Sequence, residues 1–265
     1  MLSLAGLCYL LYRLEAADGF IAHKRRIGMI EIPDGVHRIG SYSIRRSGEA
    51  WAFAEREKSA IESHWAHRLA QNPKFFNGRV HIMLSGGLSQ GHLSGTVAET
   101  DFASSLFWRE TGFRDPDVAD CFGAAIFSCA DNSLVFGRQS PGNINSGLVY
   151  PPSGFLDPRD IDESGMADLD GSIAREAAEE TGCHWADMPR EPGYLAVRDG
   201  PYLCVGIVYR IPVPGREFAA QILQRLATDT DAELESLAVL DRRGDIEAHA
   251  MTTFARKIAL ALLPD

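Results

Sequence analysis

Three carboxylates crowd one helical turn's worth of chain between Arg175 and Gly182, where the sequence reads Arg-Glu-Ala-Ala-Glu-Glu-Thr-Gly. On a helix, successive residues turn by about 100°, so Glu176, Glu179 and Glu180 share one face, with Glu176 and Glu180 a turn apart. Like charges this close repel unless something offsets them. A divalent cation with oxygen ligands does so economically, and Mg²⁺ takes a few carboxylates, waters and phosphate oxygens. A solvated acidic helix face is the competing reading. The flanks favour the metal. Upstream, residues 148–158 run from an apolar strand (Leu148, Val149, Tyr150) into a Gly/Pro loop around Ser153, Gly154 and Pro158. Downstream, Gly182 stands where a helix C-cap belongs.

This combination resembles the Nudix hydrolases, whose signature runs G-x5-E-x7-R-E-U-x-E-E-x-G-U, with U aliphatic. Arg175, Glu176, Ala177, Glu179, Glu180, Gly182 and Cys183 match its second half, with Ala and Cys at the U positions. Gly154 matches the leading glycine, Ser153 replaces the glycine that usually precedes it, and the step from Gly154 to Arg175 is seven residues too long. Counting forward from Gly154 puts Asp160 at the first glutamate position; counting back from Arg175 puts Ala167 there. The insertion at 159–166 leaves Asp157, Asp160, Asp162 and Glu163 as open alternatives for that carboxylate.

Around the signature, Leu134-Val135-Phe136-x-Arg138-x-Ser140 and Gly147-Leu148-Val149-x-x-Pro152-x-Gly154-x-x-Asp157-Pro158 look like the divergent Nudix group that includes UDP-glucose diphosphatases. Weaker similarity reaches back to Trp65, Arg68, Phe75 and Gly95. The resemblance implies an α/β/α sandwich with a mixed sheet, and cleavage of a UDP-sugar to UMP and a sugar 1-phosphate. Glu176 and Glu180 are expected to hold Mg²⁺, or Mn²⁺ in its place, with Glu179 contributing directly or through water and the Gly154 carbonyl completing the set by resemblance. Arg175 is expected to fork onto Glu179 and organise it. Glu179, Glu180, Glu233 and Glu235 compete as general base, with Glu233 equally readable as a solvated charge. Arg138, between a strand and a Gly/Asn loop, is the candidate diphosphate contact or an ordinary surface arginine. Two alternatives stay open: CoA or a dinucleotide as substrate, suggested by Arg138-Gln139-Ser140, and a Nudix-like module that binds a nucleotide without cleaving it.

The composition suits a globular enzyme: 265 residues, 45% hydrophobic and 23% charged, enough for one large or two modest domains. A net charge of −10 argues against general nucleic-acid binding, which needs an excess of Lys and Arg. The expected partner is a small nucleoside diphosphate, with a homodimer an open assembly. Five cysteines (Cys8, Cys121, Cys129, Cys183, Cys204) form no C-x-x-C pair and sit in apolar stretches, which reads as buried free thiols in a reducing, cytoplasmic setting. The eight histidines lack zinc spacing. The apolar run at 1–12 is shorter than the roughly 20 residues of a membrane span and lacks the basic start and cleavage site of a signal peptide.

The elements that would carry the site follow from periodicity. An N-terminal α+β subdomain is expected over 1–117: alternating strands with a basic surplus (His23 to Arg46), a helix over 49–70 stopped by Asn72-Pro73, and strands at 79–84 and 95–98 with a turn at Ser85-Gly86-Gly87. The Nudix domain is expected over 118–265. It begins with a hairpin of strands 121–128 and 134–137 turning at Ala130-Asp131-Asn132. After the acidic helix come a strand at 202–213, a helix at 217–226, a strand at 237–240 and an amphipathic helix at 249–263. Trp108, Phe113 and Tyr202 are either core aromatics or stacking platforms for a base.

Overall fold

A computed structural model of the chain describes residues 29–183, 188–227 and 232–265. The apolar run at 1–12, Cys8, the basic residues at 23–26 and the acidic stretch at 229–231 lie outside the described residues.

The centre of the molecule is β6 (Asp120–Cys129), buried along its whole length. It runs parallel to β11 (Tyr202–Ile211), with Asp120 opposite Tyr202 and Cys129 opposite Ile211. Strands covered on both faces read as continuous apolar runs, as both of these do. Their side chains alternate between two cores. Cys121, Ala125 and Phe127 face one apolar cluster, while Phe122, Ala124 and Ile126 face the other. The sheet extends through β7 (Leu134–Gln139) to β12 (Leu234–Leu240) on one side and through β10 (Tyr194–Asp199) to β2 (Gly35–Ile39) on the other. Short strands β8 (Val149–Tyr150) and β9 (Ser153–Phe155) add to β7 and β6. Helices α4 (Leu169–Thr181) and α5 (Gly215–Leu226) contribute Ile173, Ala177, Phe218 and Ile222 to the first core, and α6 (Thr253–Leu262) contributes Phe254, Ala255 and Ile258 to the second. This is an α/β/α sandwich with a mixed sheet, as expected.

The amino-terminal part adds a four-stranded sheet in the order β1 (Ile30–Glu31), β4 (Arg79–Ser89), β5 (His92–Asp101), β3 (Ser41–Arg46), with α1 (Ala52–Arg56), α2 (Lys58–Gln71) and α3 (Phe102–Glu110) against it. It is not a separate layer cake. β2 pairs with β10 in the other sheet, from Gly35 opposite Arg198 to Ile39 opposite Tyr194. Ile44, Met83, Leu93 and Val97 belong to the same apolar cluster as Ile173 and Phe218. Elements from both sides of the expected boundary at 115–117 therefore share one core.

Local expectations need several corrections. The helix expected over 49–70 is two, α1 and α2, because Glu57 leaves the helical region at φ −94°, ψ 8°. Ser85-Gly86-Gly87 is not a turn: it lies within β4, and the hairpin turns at Gln90 and Gly91, which have φ of 49° and 73°. Gly86 and Gly95 face each other across β4 and β5, and a Cβ on either would lie within 3 Å of the Met83 side chain. The glycines there serve close packing, not chain reversal. The C-terminal helix starts only at Thr253, after the Thr252 hydroxyl accepts from the Ala255 amide. α3 and β10 had no counterpart in the sequence reading. Cys121, Cys129 and Cys204 are buried free thiols and Cys183 is half-buried. Burial pushes Cys121 up to about 12 and Cys129 to about 11. Among the described residues, no helix is long and apolar enough to cross a membrane.

Candidate active site

Helix α4 is fixed at both ends. Its N-cap Asp168 accepts from the Gly171 amide. Tyr42 of β3 caps it from outside: its hydroxyl oxygen accepts from the Leu169 and Asp170 amides at 3.0 and 3.2 Å and donates to the Asp170 carboxylate at 2.9 Å. At the other end Gly182 takes the left-handed C-cap at φ +67°. Between them Leu169, Ile173 and Ala177 bury into the first core. A Cβ on Gly123 of β6 would stand 2.4 Å from Ile173, so glycine lets helix and sheet approach. With that stripe inward, Glu176 and Glu180 turn toward the loop that follows β8.

Gly154 and Glu176 meet closely. A Cβ on Gly154 would lie 2.2 Å from the Glu176 carboxyl carbon, so the bare Cα of glycine is what makes room for that carboxylate. Glu180 is buried at 2% exposure and accepts from the Ser153 amide at 2.9 Å and the Gln139 Nε2 at 3.2 Å. The replacement of glycine by Ser153 leaves this contact intact, because the backbone makes it. Glu179 points outward at 53% side-chain exposure, 3.6 Å from Arg175 and 4.0 Å from Arg159. Glu233 lines the same cleft, whereas Glu235 is outside it.

The electrostatics are those of carboxylates short of counter-charge. Burial raises Glu180 to about 8 and Glu176 to about 7; Glu233 adds to both, Glu179 adds to Glu176, and Arg175 pulls Glu176 back down. Glu233 itself is raised by the surrounding protein and by Glu179.

Arg175 does not chiefly serve Glu179, as expected from sequence. Its Nη2 donates to both oxygens of Asp160, at 2.8 and 3.0 Å, and its Nη1 contacts Glu176. Asp160 is buried and also accepts from the Asp157 amide at 3.0 Å. Its three competitors are occupied or peripheral: Asp157 pairs with Arg159, Asp162 accepts from the Ser164 and Met166 amides within its own turn, and Glu163 is exposed. Forward counting from Gly154 thus finds the carboxylate that meets Arg175. The extra residues behind it make a brace. Gly165 O accepts from the Arg46 amide, Ser164 O from the Arg45 guanidinium, and the Ala167 amide donates to Ile44 O.

The site opens into a cleft of about 1150 Å³ walled by both parts of the chain. Lys74, Arg79, Arg109 and Arg159 supply its cations. Arg138 is not among its lining residues. It donates to Gly147 O at 2.8 Å and approaches His249, while its neighbour Gln139 faces α4 and the cleft. Strand side chains alternate, so of this pair Gln139 and not Arg138 faces the cleft. Trp108 is 1% exposed and donates to Asp115 O, a core aromatic; Phe113 is half-buried against it, and Tyr202 reaches the cleft.

Carboxylate and carbonyl oxygens are the donor chemistry of Mg²⁺ or Mn²⁺. With the space that Gly154 leaves for Glu176, this chemistry suits a divalent cation, for which Glu176, Glu179, Glu180 and the Gly154 carbonyl would be the donors. Among the described residues no three His, Cys, Asp or Glu side chains already surround one point. Glu176 faces Arg175 instead, and would turn from it to ligate.

No protein-family model matches the chain, and no curated protein matches it. Solved structures similar to it include a Nudix hydrolase from M. smegmatis, RenU, at 11% identity and TM-score 0.35 over 54% of this chain and 81% of that one. A Nudix hydrolase from Nitrosomonas europaea aligns at 16% and 0.34 over 55% and 92%. The Nudix domain of Shewanella oneidensis NrtR, solved with ADP-ribose, aligns at 15% and 0.35 over 54% and 84%. At such scores the functional reading rests on the site's own chemistry.

Proposed function

We propose that the protein is a divalent-cation-dependent Nudix-type hydrolase that cleaves the diphosphate of a nucleoside diphosphate joined to another moiety, with a UDP-sugar, cut to UMP and a sugar 1-phosphate, as its narrowest form. One observation carries the reading: the Glu176 carboxylate fills the space a Gly154 side chain would take, Glu180 sits on the neighbouring Ser153 amide, and Glu179 and Glu233 line the same cleft, which also presents four basic side chains. A bound Mg²⁺ would neutralise diphosphate oxygens and make a bound water more acidic.

The chain's own residues supply the rest. Gln139 and the Ser153 amide hold Glu180 in place, and Asp160 holds Arg175 beside Glu176, where it offsets the carboxylate charge. Arg159, exposed at the cleft wall, replaces Arg138 as the diphosphate contact. Glu233 is the best-placed general base. It lines the cleft, and among the described residues its carboxylate has no hydrogen bond or ion pair. It takes the proton as water oxygen bonds to phosphorus and the bridging P–O bond breaks, the leaving phosphate monoester carrying the electron pair.

The test is a panel of UDP-sugars, ADP-ribose, CoA and dinucleotides with Mg²⁺, read by phosphate release after phosphatase coupling. Turnover of none would sink the proposal, and the preferred member would decide between UDP-sugar and the CoA or dinucleotide alternatives. Glu180→Gln should lower turnover by about two orders of magnitude, the loss expected of a catalytic metal ligand. Unchanged turnover in that variant would move the cation elsewhere.

A further inference from the structure

The cleft continues beyond the acidic helix to a polar pair that the proposed reaction does not use. On β6, Gly123 stands opposite Gly154 and Phe122 opposite Phe155. Asp120 therefore lies three residues farther along the strand, roughly 10 Å from Gly154 at about 3.3 Å per residue. Its carboxylate lines the cleft at 9% exposure. Among the described residues it accepts no hydrogen bond and makes no ion pair; Arg109 nearby acts on it only through space. Burial raises its carboxyl to about 6 against that pull. Buried carboxylates are normally paired, so this one lacks a structural partner.

Arg109 reaches the same place from α3, on the amino-terminal side of the cleft. Its Nη2 is held by Asn145 Oδ1, which is itself anchored to Tyr150. Aromatic walls flank the pair: Tyr202 stands beside Asp120, and Phe102 meets Phe155 edge-on at 5.7 Å. A phosphate offers acceptors only and would suit Arg109 while being repelled by Asp120. A hydroxyl both donates and accepts, and so satisfies both groups at once.

We infer that Asp120 and Arg109 form a second binding subsite for a vicinal diol, the carboxylate accepting from the hydroxyls and the guanidinium donating to them. It rests on the hydrolase reading for what is cleaved, but not for what is bound. Two parts of a nucleoside diphosphate sugar carry such a diol, the distal sugar and the nucleoside ribose, and the cleft is larger than the roughly 300–1,000 Å³ typical of a small-ligand pocket.

Calorimetric titration of the full chain with Ca²⁺ as cation tests it. UDP-glucose is compared with UDP for the distal sugar, and UDP with 2′,3′-dideoxy-UDP for the ribose. The diol-bearing member of one pair should bind about tenfold more tightly, the scale of one or two hydrogen bonds. Asp120→Asn, nearly isosteric, should reduce that gain to about twofold or less, and Arg109→Gln should reduce it as well, which guards against misfolding of either variant. No gain in the wild type, or a gain that survives either substitution, would overturn the inference. UDP-glucose turnover measured alongside keeps the readings apart. Turnover without a diol gain removes the subsite and leaves the hydrolase; a diol gain without turnover does the reverse.

Discussion

A carboxylate that takes two hydrogen bonds from one guanidinium cannot be neutralised without stranding a charge, and Asp160 stands in that position against Arg175. Asp160→Asn should therefore cost about 3 kcal/mol, the loss typical when one partner of a buried pair is removed. Exposed Glu163→Gln should stay within about 0.5 kcal/mol of wild type. Urea midpoints compare the two, and equal losses would mean Asp160 is no anchor. Asp120 makes the opposite prediction. Burial, opposed by Arg109, raises its folded pKa from 3.8 to about 6, so the folded state holds its proton more tightly than the unfolded chain does. Its contribution is then neutral below about pH 4 and destabilising above about pH 6, and stability falls as pH rises between them. Asp120→Asn should remove that fall and stabilise the protein at pH 7 by on the order of 3 kcal/mol. Thermal melts at pH 4 and pH 7 check the sign; a less stable variant at pH 7 would contradict it.

At the scale of elements, glycines in β4 and β5 set how closely the amino-terminal hairpin packs. Gly95→Ala should destabilise by about 1–3 kcal/mol, because its Cβ would meet both the Met83 side chain and the Ser85 carbonyl at 2.8 Å. Gly87→Ala, which meets nothing within 4 Å, should be neutral or slightly stabilising. Denaturant titration separates them. The same glycines show what sequence can and cannot convey. The acidic helix, its αL stop and the buried pair β6 and β11 were legible because spacing and apolar continuity each allow one reading. Ser85-Gly86-Gly87 allowed two, reversal or close approach, and only the Met83 side chain decides. Gln139 and Arg138 differ by strand parity alone, which depends on the face α4 covers. Asp160 could be singled out only once the insertion was seen to brace Arg45 and Arg46, leaving the chain from Gly154 to Asp160 at its ordinary length.

For the whole molecule, the apolar cluster shared by the two parts predicts that they unfold together. Three of the four tryptophans, Trp51, Trp65 and Trp108, lie in the amino-terminal part, whereas far-ultraviolet dichroism senses every element. Unfolding followed by the two signals should coincide; separate transitions would mean that the parts fold independently. The phenol of Tyr42 adds a matter of timing. The amides it caps at the start of α4 lie 127 and 128 residues downstream. Contacts this distant in sequence form late, since a long loop must close first. The helix bearing the three glutamates thus gains the cap on its first turn only when β3 has reached it from 127 residues away, so the site's geometry depends on long-range closure of the chain and not on the local helix alone.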